Sequence, residues 1–321
     1  MQTDLATTSR DAAPITALAP REPSQNPAAF YLASLTSKDS KRTMKTALDT
    51  IGAIVSEGAC LSCFAFDWAG LRRQHTEIIR AQLADRYKPA TANKMLCALR
   101  GVLEHAWNLD QISTDDFHRA KAVKSIKGEA LPAGRALEKS ELTAMLRACP
   151  DTATGLRDKA LLAIAFGAGL RRSEVVSLDL ADFNAATGTI TVRQGKGRRE
   201  RLVQTPAFVT PLVGAWLAVR SDIAGALLLP TDKSGRIKHG QRLSDQTVLT
   251  ALERCCRRVG GKSFSPHDLR RSYATHLFEA GADAPMIQQL MGHQNIATTQ
   301  KYDRRGEEAK QKAADMLTLA L

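Results

Sequence analysis

Residues 265–270, with the sequence SPHDLR, combine a strong helix start with two side chains that could handle a phosphate group. Ser265 is a favourable N-cap, Pro266 suits the first helical position, and Asp268 places an acidic group at the third. The free N–H groups and the positive dipole end of a first helical turn favour an anion. His267 and Arg270 are three residues apart and share one helix face. An H-x-x-R pattern alone is common, so its meaning depends on the residues around it.

Further residues of suitable chemistry occur in a fixed order along the chain. They are Arg171 after a Gly-Leu pair, Lys196 in a glycine-rich basic turn, His293 directly after Gly292, and Tyr302. Taken singly, each has a plain structural alternative: Arg171 could be a surface residue beside Arg172, and His293 could cap a helix. Tyr273 and His276 fit better as packed residues of the helix that begins at Pro266. The complete ordered set is far more specific than any member.

This ordered set resembles that of the tyrosine recombinase/integrase family (the phage integrase superfamily). It is most similar to the Xer-like and integron-integrase-like bacterial members. The matching stretches, as they stand here, are GAGLRRSEVVSLDLADF, GKGRRERLV, SPHDLRRSYATHLFEAGA and MGHQNIATTQKY. The specific resemblance covers about residues 136 to 305, and the helical part before it fits the family's DNA core-binding domain in general character.

The resemblance implies site-specific cleavage and rejoining of DNA through a 3′-phosphotyrosyl intermediate, with strand exchange through a Holliday junction. The residues that it places in the catalytic site are Arg171, Lys196, His267, Arg270, His293 and Tyr302. Arginines suit the negative charge that builds on the non-bridging oxygens of an attacked phosphodiester. A tyrosine with a reference pKa of about 10 needs a base or a strongly cationic site to attack at pH 7.

Within this chemistry, Tyr302 is the expected nucleophile and His267 the expected base, which later acts as the acid of the reverse step. His293 is a further hydrogen-bond donor, and the family implies that Lys196 protonates the departing 5′ oxygen. Glu174 could orient Arg171 or only favour a helix start, and Asp268 is expected to support the helix that carries His267. The phosphotyrosine conserves bond energy, so no ATP is expected for rejoining. No Asp/Glu cluster suggests magnesium and the implied mechanism needs no metal, so no metal is expected as cofactor.

Double-stranded DNA is the expected partner, since the chain carries a net charge of +12 at pH 7. The net charge is +3 in residues 1–130 and +9 in the remainder. A solvated basic surface remains the plain alternative. The candidate DNA contacts are Lys41, Lys45, Arg72, Arg73, Lys94, Arg100, Lys124, Lys127, Arg135, Arg172, Arg198, Arg199 and Arg271.

The apolar spacing predicts a mainly α-helical chain with a small antiparallel β-sheet. The expected parts are a flexible tail at 1–25, a helical core-binding domain at 26–120, a basic linker at 121–136 and a catalytic domain at 137–321. Strands are predicted for 189–192 and 201–203, around the turn that holds Lys196. The resemblance further implies that the two domains form a C-shaped clamp on DNA.

Helical spacing continues to the C-terminus, where 297–304 and 307–319 are predicted helices. The segment at about 306–321 could pack on its own domain. The family implies instead that it docks into a neighbouring protomer, which would build a homotetramer on a site with paired inverted core-binding elements. An accessory DNA-binding protein is a further partner that the family allows.

Other features restrict the cellular setting. No stretch approaches the length of a membrane helix and no secretory leader is evident, so a cytoplasmic, nucleoid-associated bacterial protein is expected. Cys60 and Cys63 have C-x-x-C spacing without a second ligand pair, which favours small apolar residues over a metal site.

The biological role is less determined than the chemistry. Integration or resolution of a mobile element is the preferred interpretation. A type IB topoisomerase-like relaxing activity and a non-catalytic DNA-binding accessory protein are the alternatives.

Overall fold

The computed structural model describes residues 25–128, 134–193 and 200–306. The chain divides into two compact units, Met1–Leu131 and Pro132–Leu321. The division falls inside residues 121–136, the segment predicted as a linker. Each unit has its own hydrophobic core.

The N-terminal unit is helical wherever it has regular structure. Its helices are α1 (Pro27–Ser34), α2 (Lys38–Val55), a short 3₁₀ helix (Trp68–Gly70), α3 (Arg73–Arg86), α4 (Pro89–Asn108) and α5 (Thr114–Lys121). The long helix α4 contacts α1, α2 and α5. It buries Leu96 and Leu99 completely against a core that includes Leu48 and Ile51 of α2. The three- and four-residue apolar spacing of the sequence therefore marks the buried faces.

The cysteine pair of this unit lies in the same core. Cys60 and Cys63 are buried in one cluster with Phe66 and carry free thiols. Within the described parts of the chain, no group of three or more His, Cys, Asp or Glu side chains could hold a metal ion. In the same parts, no helix is long and apolar enough to cross a membrane.

The C-terminal unit spans all six candidate catalytic residues. Its elements are α6 (Lys139–Arg147), α7 (Ala153–Gly167), α8 (Arg172–Ser177), a 3₁₀ helix (Leu180–Asp182), β1 (Phe183–Asn184), β2 (Thr189–Val192), β3 (Arg201–Gln204), α9 (Val209–Arg220), α10 (Asp245–Arg258), α11 (Pro266–Glu279), α12 (Ala284–Met291) and α13 (Ile296–Gln300). The prediction of a mainly α-helical chain with a small antiparallel sheet is thereby confirmed.

The sheet has three antiparallel strands in the order β1-β2-β3. Val192 of β2 pairs with Arg201 of β3, and Ile190 pairs with Val203. The alternation along β3 turns Arg201 and the buried Val203 to the same face of the sheet. The first strand, β1, was missed by the sequence analysis because two residues carry too little pattern. Lys196, Arg198 and Arg199 lie in the turn at 194–199, outside the described residues.

The core of this unit is built around α7, which packs along α9. Leu161 and Ile164 of α7 and Val213 and Trp216 of α9 are fully buried. Helix α7 begins at Ala153, where the side chain of Thr152 accepts a hydrogen bond from the N–H of Gly155. Helix α11 also contacts α7, so the core fixes the helix that begins at SPHDLR.

The chain around Tyr302 differs from the prediction. The helix predicted over 297–304 is present only to Gln300 as α13, and Tyr302 lies in the turn that follows, so the predicted C-terminal end was wrong. The N–H groups of Tyr302 and Asp303 bond to carbonyl oxygens three residues back, which tightens the chain into a turn. The predicted helix at 307–319 lies outside the described residues.

Candidate active site

The start of α11 has the structure that its sequence predicts. The hydroxyl of Ser265 accepts a hydrogen bond from the N–H of Asp268 at 3.3 Å, and the carboxylate of Asp268 accepts one from the N–H of Ser265 at 2.8 Å. The second carboxylate oxygen of Asp268 accepts from the N–H of Arg135 at 3.0 Å. Asp268 is buried, so these bonds fix the first turn of the helix from two directions.

A pocket of about 410 Å³ opens beside this helix start. It brings together three of the predicted catalytic residues, which are Arg171, His267 and Arg270. Residues far apart in the sequence therefore meet where the dipole of α11 favours an anion. The other lining residues are Arg172, Ser173, Asp245, Leu249, Ser265 and Pro266.

Arg270 is held inside the protein with a relative exposure of 1%. Its two terminal nitrogens donate to the carbonyl oxygens of Gly169 and Met291, each at 2.5 Å. Burial, followed by the neighbouring Arg171, lowers the pKa of Arg270 to about 10, so the guanidinium still carries its charge at pH 7. A buried cation without a paired carboxylate is costly and suits an anionic ligand.

Gly169 shows why the Gly-Leu-Arg sequence begins with glycine. Its φ of +57° lies in the left-handed region, and an added Cβ would approach the ring of Tyr273 to 2.4 Å. The close packing lets the carbonyl of Gly169 reach Arg270. Tyr273 is buried there, in agreement with its prediction as a core residue.

Arg171 is oriented by Glu174 and by the end of α12. It donates to the Glu174 carboxylate at 2.8 Å from its side chain and at 2.9 Å from its backbone N–H. Its other terminal nitrogen donates to the carbonyl of Gly292 at 3.1 Å. Burial would raise the pKa of Glu174, but hydrogen bonds from Arg201 and Arg171 outweigh it and hold the pKa below its usual value.

His293 leaves α12 directly after Gly292, which ends that helix with a φ of +62°. Its Nδ1 lies 2.9 Å from the hydroxyl of the fully buried Thr299. Burial and then the charges of Arg270 and Arg171 lower the pKa of His293 to about 4. The imidazole is therefore neutral at pH 7 in the free protein.

Tyr302 lies beside His293, with 6.1 Å between the ring centroids. The tyrosine is 8% exposed and packs in a cluster with Phe278 and Met291. The guanidinium of Arg271 lies 5.8 Å from the ring centroid of Tyr302, and the hydroxyl of Thr275 donates to its carbonyl at 3.4 Å. One face of α11 thus holds the segment that carries the expected nucleophile.

His267 is exposed at the mouth of the pocket. Partial burial of the ring and the charges of Arg270 and Arg271 lower its pKa, so the neutral form prevails at pH 7. A neutral imidazole at this position can accept a proton. His276, in contrast, has both ring nitrogens engaged, one with the carbonyl of Leu137 and the other with Glu279, and it is packed as predicted.

The candidate DNA contacts fall into different groups. Exposed side chains belong to Lys41, Arg73, Lys94, Lys124 and Lys127. Arg172 lines the pocket and pairs with Asp245 at 3.0 Å. Lys45 pairs with Asp49 at 2.8 Å and keeps a partly exposed ammonium group. The basic side chains at these positions place positive charge at the surface of each unit.

The other candidate arginines use their donors within the protein. Arg72 donates to the carbonyls of Ala69 and Leu71, and Arg100 donates to the carbonyl of Val123 at 2.6 Å. Arg135 forms a two-bond pair with Glu141.

Arg271 differs from the exposed candidates. It is 8% exposed, and its guanidinium lies against the ring of Tyr302 in the free protein.

Arg201 and Thr299 take part in the site although the sequence analysis did not select them. Arg201 donates two bonds to Glu174, at 3.1 and 2.9 Å. Arg201 could have been found from the sequence, because a charged residue on the same strand face as the apolar Val203 indicates a buried ionic contact. Thr299 gave no such signal, because its contact with His293 depends on the turn of the chain after α12.

The sequence of this chain is similar to those of known DNA recombinases. The model of the phage integrase family matches residues 135–308. Tyrosine recombinase XerA of Thermococcus kodakarensis is 32% identical over 253 residues, which cover 79% of this chain and 85% of that protein. Tyrosine recombinase XerC of Vibrio cholerae is 37% identical over 167 residues, 52% of each chain.

Solved structures share the fold at lower sequence identity. The Tn1549 transposon integrase in complex with transposon right end DNA has a TM-score of 0.65 at 13% identity, covering 91% of this chain and all of that one. A lambda integrase dimer bound to a core site has a TM-score of 0.62 at 16% identity, covering 88% and 80%. The family match spans more than half of the chain and includes each of the candidate catalytic residues. The chain therefore belongs to the tyrosine recombinase family, also described as the phage integrase family.

Proposed function

We propose that this chain is a site-specific recombinase that cuts and rejoins DNA, with Tyr302 as its nucleophile. The observation that carries the proposal is the pocket at the start of α11. There, Arg270 is buried with two carbonyl oxygens as its hydrogen-bond acceptors and no carboxylate partner among the described residues, and it lies beside Arg171 and a neutral His267. Two fixed guanidinium groups and a helix start suit one phosphate of a DNA backbone.

The reaction follows from these groups. The phenolic oxygen of Tyr302 attacks the phosphorus, and the bond from phosphorus to the 5′ oxygen breaks, leaving a 3′-phosphotyrosine. The proton of the phenol passes to His267, and Lys196 protonates the departing 5′ oxygen. Arg171, Arg270 and His293 stabilise the charge on the non-bridging oxygens; one such donor is worth about a 10²- to 10³-fold rate difference. Since one phosphoester replaces another, no ATP is needed, and in this proposal the cationic side chains stabilise the charge without a metal.

Attack requires the phenol of Tyr302 to leave the cluster in which it is buried. Its neighbours restrain it by packing, by the contact of Arg271 with the ring and by one long backbone hydrogen bond. Contacts of this kind are modest in strength. Binding of the DNA would supply the energy to move the turn.

The proposed substrate is a duplex with paired inverted core-binding elements. Two protomers would bind each duplex, and four would meet in the synapse and exchange strands through a Holliday junction. The exposed basic residues of the N-terminal unit suit the DNA backbone, and the two domains would close on it as a clamp. Integration or resolution of a mobile element in a bacterial nucleoid, with or without an accessory DNA-binding protein, is the proposed role.

The segment at 306–321 is proposed to dock into a neighbouring protomer, because its sequence carries an apolar helical face. A truncation after Arg305 should leave the monomer folded, as measured by thermal unfolding, and should still allow single-strand cleavage. It should lower complete recombination. Unchanged recombination by the truncated chain would contradict the docking role.

A covalent capture experiment tests the chemistry. The protein is incubated with fragmented host DNA, the protein–DNA adduct is isolated, and the joined DNA is sequenced to define the site. A suicide duplex built on that site should then give an adduct with the wild type and with Tyr273→Phe, but none with Tyr302→Phe. The control removes a hydroxyl from a tyrosine of the same buried cluster.

Other outcomes point to other functions. An adduct with Tyr302→Phe would refute the assignment of the nucleophile. Specific DNA binding without an adduct at any site would favour a non-catalytic accessory protein. Relaxation of supercoiled DNA without site preference would favour a topoisomerase-like activity.

A further inference from the structure

We infer that Arg201 is a positioning residue of the reaction, which acts by setting the geometry of Arg171 and of the chain end that carries His293. The inference rests on the proposed recombinase function. Arg201 lies at the first position of β3, five residues after Lys196 in the sequence. It touches neither DNA nor the reacting groups in this proposal.

The end of α12 receives three arginines on three successive carbonyl oxygens. The pairs are Arg201 with Leu290 at 3.1 Å, Arg270 with Met291 at 2.5 Å and Arg171 with Gly292 at 3.1 Å. The C-terminal carbonyls of a helix lack partners within the helix and carry its negative dipole end. The end of α12 thus sets the spacing of all three guanidinium groups, and His293 is the next residue of the chain.

Arg201 also decides how Glu174 holds Arg171. The side chain of Arg201 is 12% exposed, and its two terminal nitrogens bind the two carboxylate oxygens of Glu174. This leaves Arg171 with one side-chain bond to Glu174, at 2.8 Å. Without Arg201, the carboxylate would be free to draw Arg171 into a two-bond pair of its own. Arg201 therefore keeps Arg171 turned toward the phosphate.

Gly292 shows how tightly Arg201 is seated. A Cβ at Gly292 would lie 3.0 Å from a terminal nitrogen of Arg201 and 3.2 Å from its Cζ. The guanidinium thus packs flat against the backbone at the end of α12, where a larger residue would push it away. The contact joins β3 to α12 at Gly292, the residue directly before His293.

The test compares Arg201→Gln with Arg193→Gln. Arg193 follows β2 in the same hairpin, pairs with Asp182 and has a 57% exposed side chain, so its replacement is a matched control. The rate of adduct formation is measured in single turnover on the suicide duplex defined above. We expect Arg201→Gln to be slower by about 10- to 100-fold, the cost of a misplaced catalytic group. Arg193→Gln should stay within about twofold of the wild type.

A second substrate separates positioning from a general structural role. A methylphosphonate at the cleaved position replaces one charged non-bridging oxygen by a neutral methyl group, so correct placement of Arg171 matters less. The ratio of wild-type to Arg201→Gln rates should therefore shrink several-fold on this substrate. The same ratio on both substrates, or a normal rate for Arg201→Gln on the phosphate, would overturn the inference.

A folding check and a second variant separate loss of positioning from loss of folding. If thermal unfolding shows that Arg201→Gln is not folded, Arg201→Lys takes its place, because lysine keeps the charge but cannot form the two-bond pair with Glu174. It should show a smaller loss with the same dependence on substrate. Absence of an adduct with the wild type would refute the proposed function, whereas a wild-type adduct with no effect at Arg201 would refute this inference alone.

Discussion

The neutral state of His293 predicts how the stability of the free protein depends on pH. Burial and the charges of Arg270 and Arg171 lower the pKa of His293 from 6.5 to about 4. Between these values the unfolded chain binds more protons at this residue than the folded chain does. The free energy of unfolding therefore falls as pH drops below about 6.5, and the fall ends near pH 4.

The size of the effect follows from the two pKa values. A pKa fall from 6.5 to about 4 would remove about 2 kcal/mol from the free energy of unfolding between pH 7.5 and pH 5. His293 is only partly buried, so solvent screens part of the repulsion. We expect a loss of about 1 kcal/mol that is specific to this residue.

Urea unfolding of the DNA-free protein at pH 7.5 and pH 5 measures this loss. The comparison is with His293→Asn, whose amide can keep the hydrogen bond to Thr299 but does not titrate. Other titrating groups are common to both proteins and cancel in the difference. Equal losses of stability for both proteins between the two pH values would refute the argument, as would a larger loss for the variant.

Three further predictions concern single residues. Lys196→Ala should slow cleavage of the normal duplex by about 10²-fold or more. The slowing should be much smaller on a duplex with sulfur in place of the 5′ bridging oxygen, because a thiolate leaves without a proton. The rate of adduct formation is measured on both duplexes. Gly292→Ala should lower the free energy of unfolding by about 1–2 kcal/mol, because Gly292 has a φ of +62° and an added Cβ would press on the guanidinium of Arg201. Urea unfolding measures this loss. Thr299→Val should slow adduct formation by about 3- to 10-fold by releasing the ring of His293, with DNA affinity unchanged in a gel-shift titration.

Local sequence predicted the elements whose determinants lie within a few residues. The start of α11 is an example, because Ser265, Pro266 and Asp268 form its cap among themselves. The limits of α2, α11 and α12 and the pairing of β2 with β3 also match their apolar spacing. Such features depend on contacts within one helix turn or across one hairpin.

Contacts between distant residues could not be predicted in this way. Arg270 meets the carbonyl of Gly169, 101 residues away in the sequence, and Arg201 meets Glu174 across 27 residues. The contact of Arg271 with the ring of Tyr302 could not be read from the sequence for the same reason, since the two residues are 31 positions apart. Sequence order selected Arg171, His267 and Arg270, which line one pocket, but it did not indicate that Arg201 binds Glu174, the carboxylate that holds Arg171 in place.

Burial and the charge balance of the site together keep its histidines neutral before DNA arrives. Glu174 is the carboxylate that directly binds both Arg171 and Arg201, while Arg270 relies on carbonyl oxygens. Burial lowers the pKa of both His293 and His267, and the excess of positive charge lowers both further. A phosphate in the pocket would offset that charge and raise both pKa values. The same electrostatics would then leave His267 free to accept the proton of Tyr302 at the start and able to return it when the strands are rejoined.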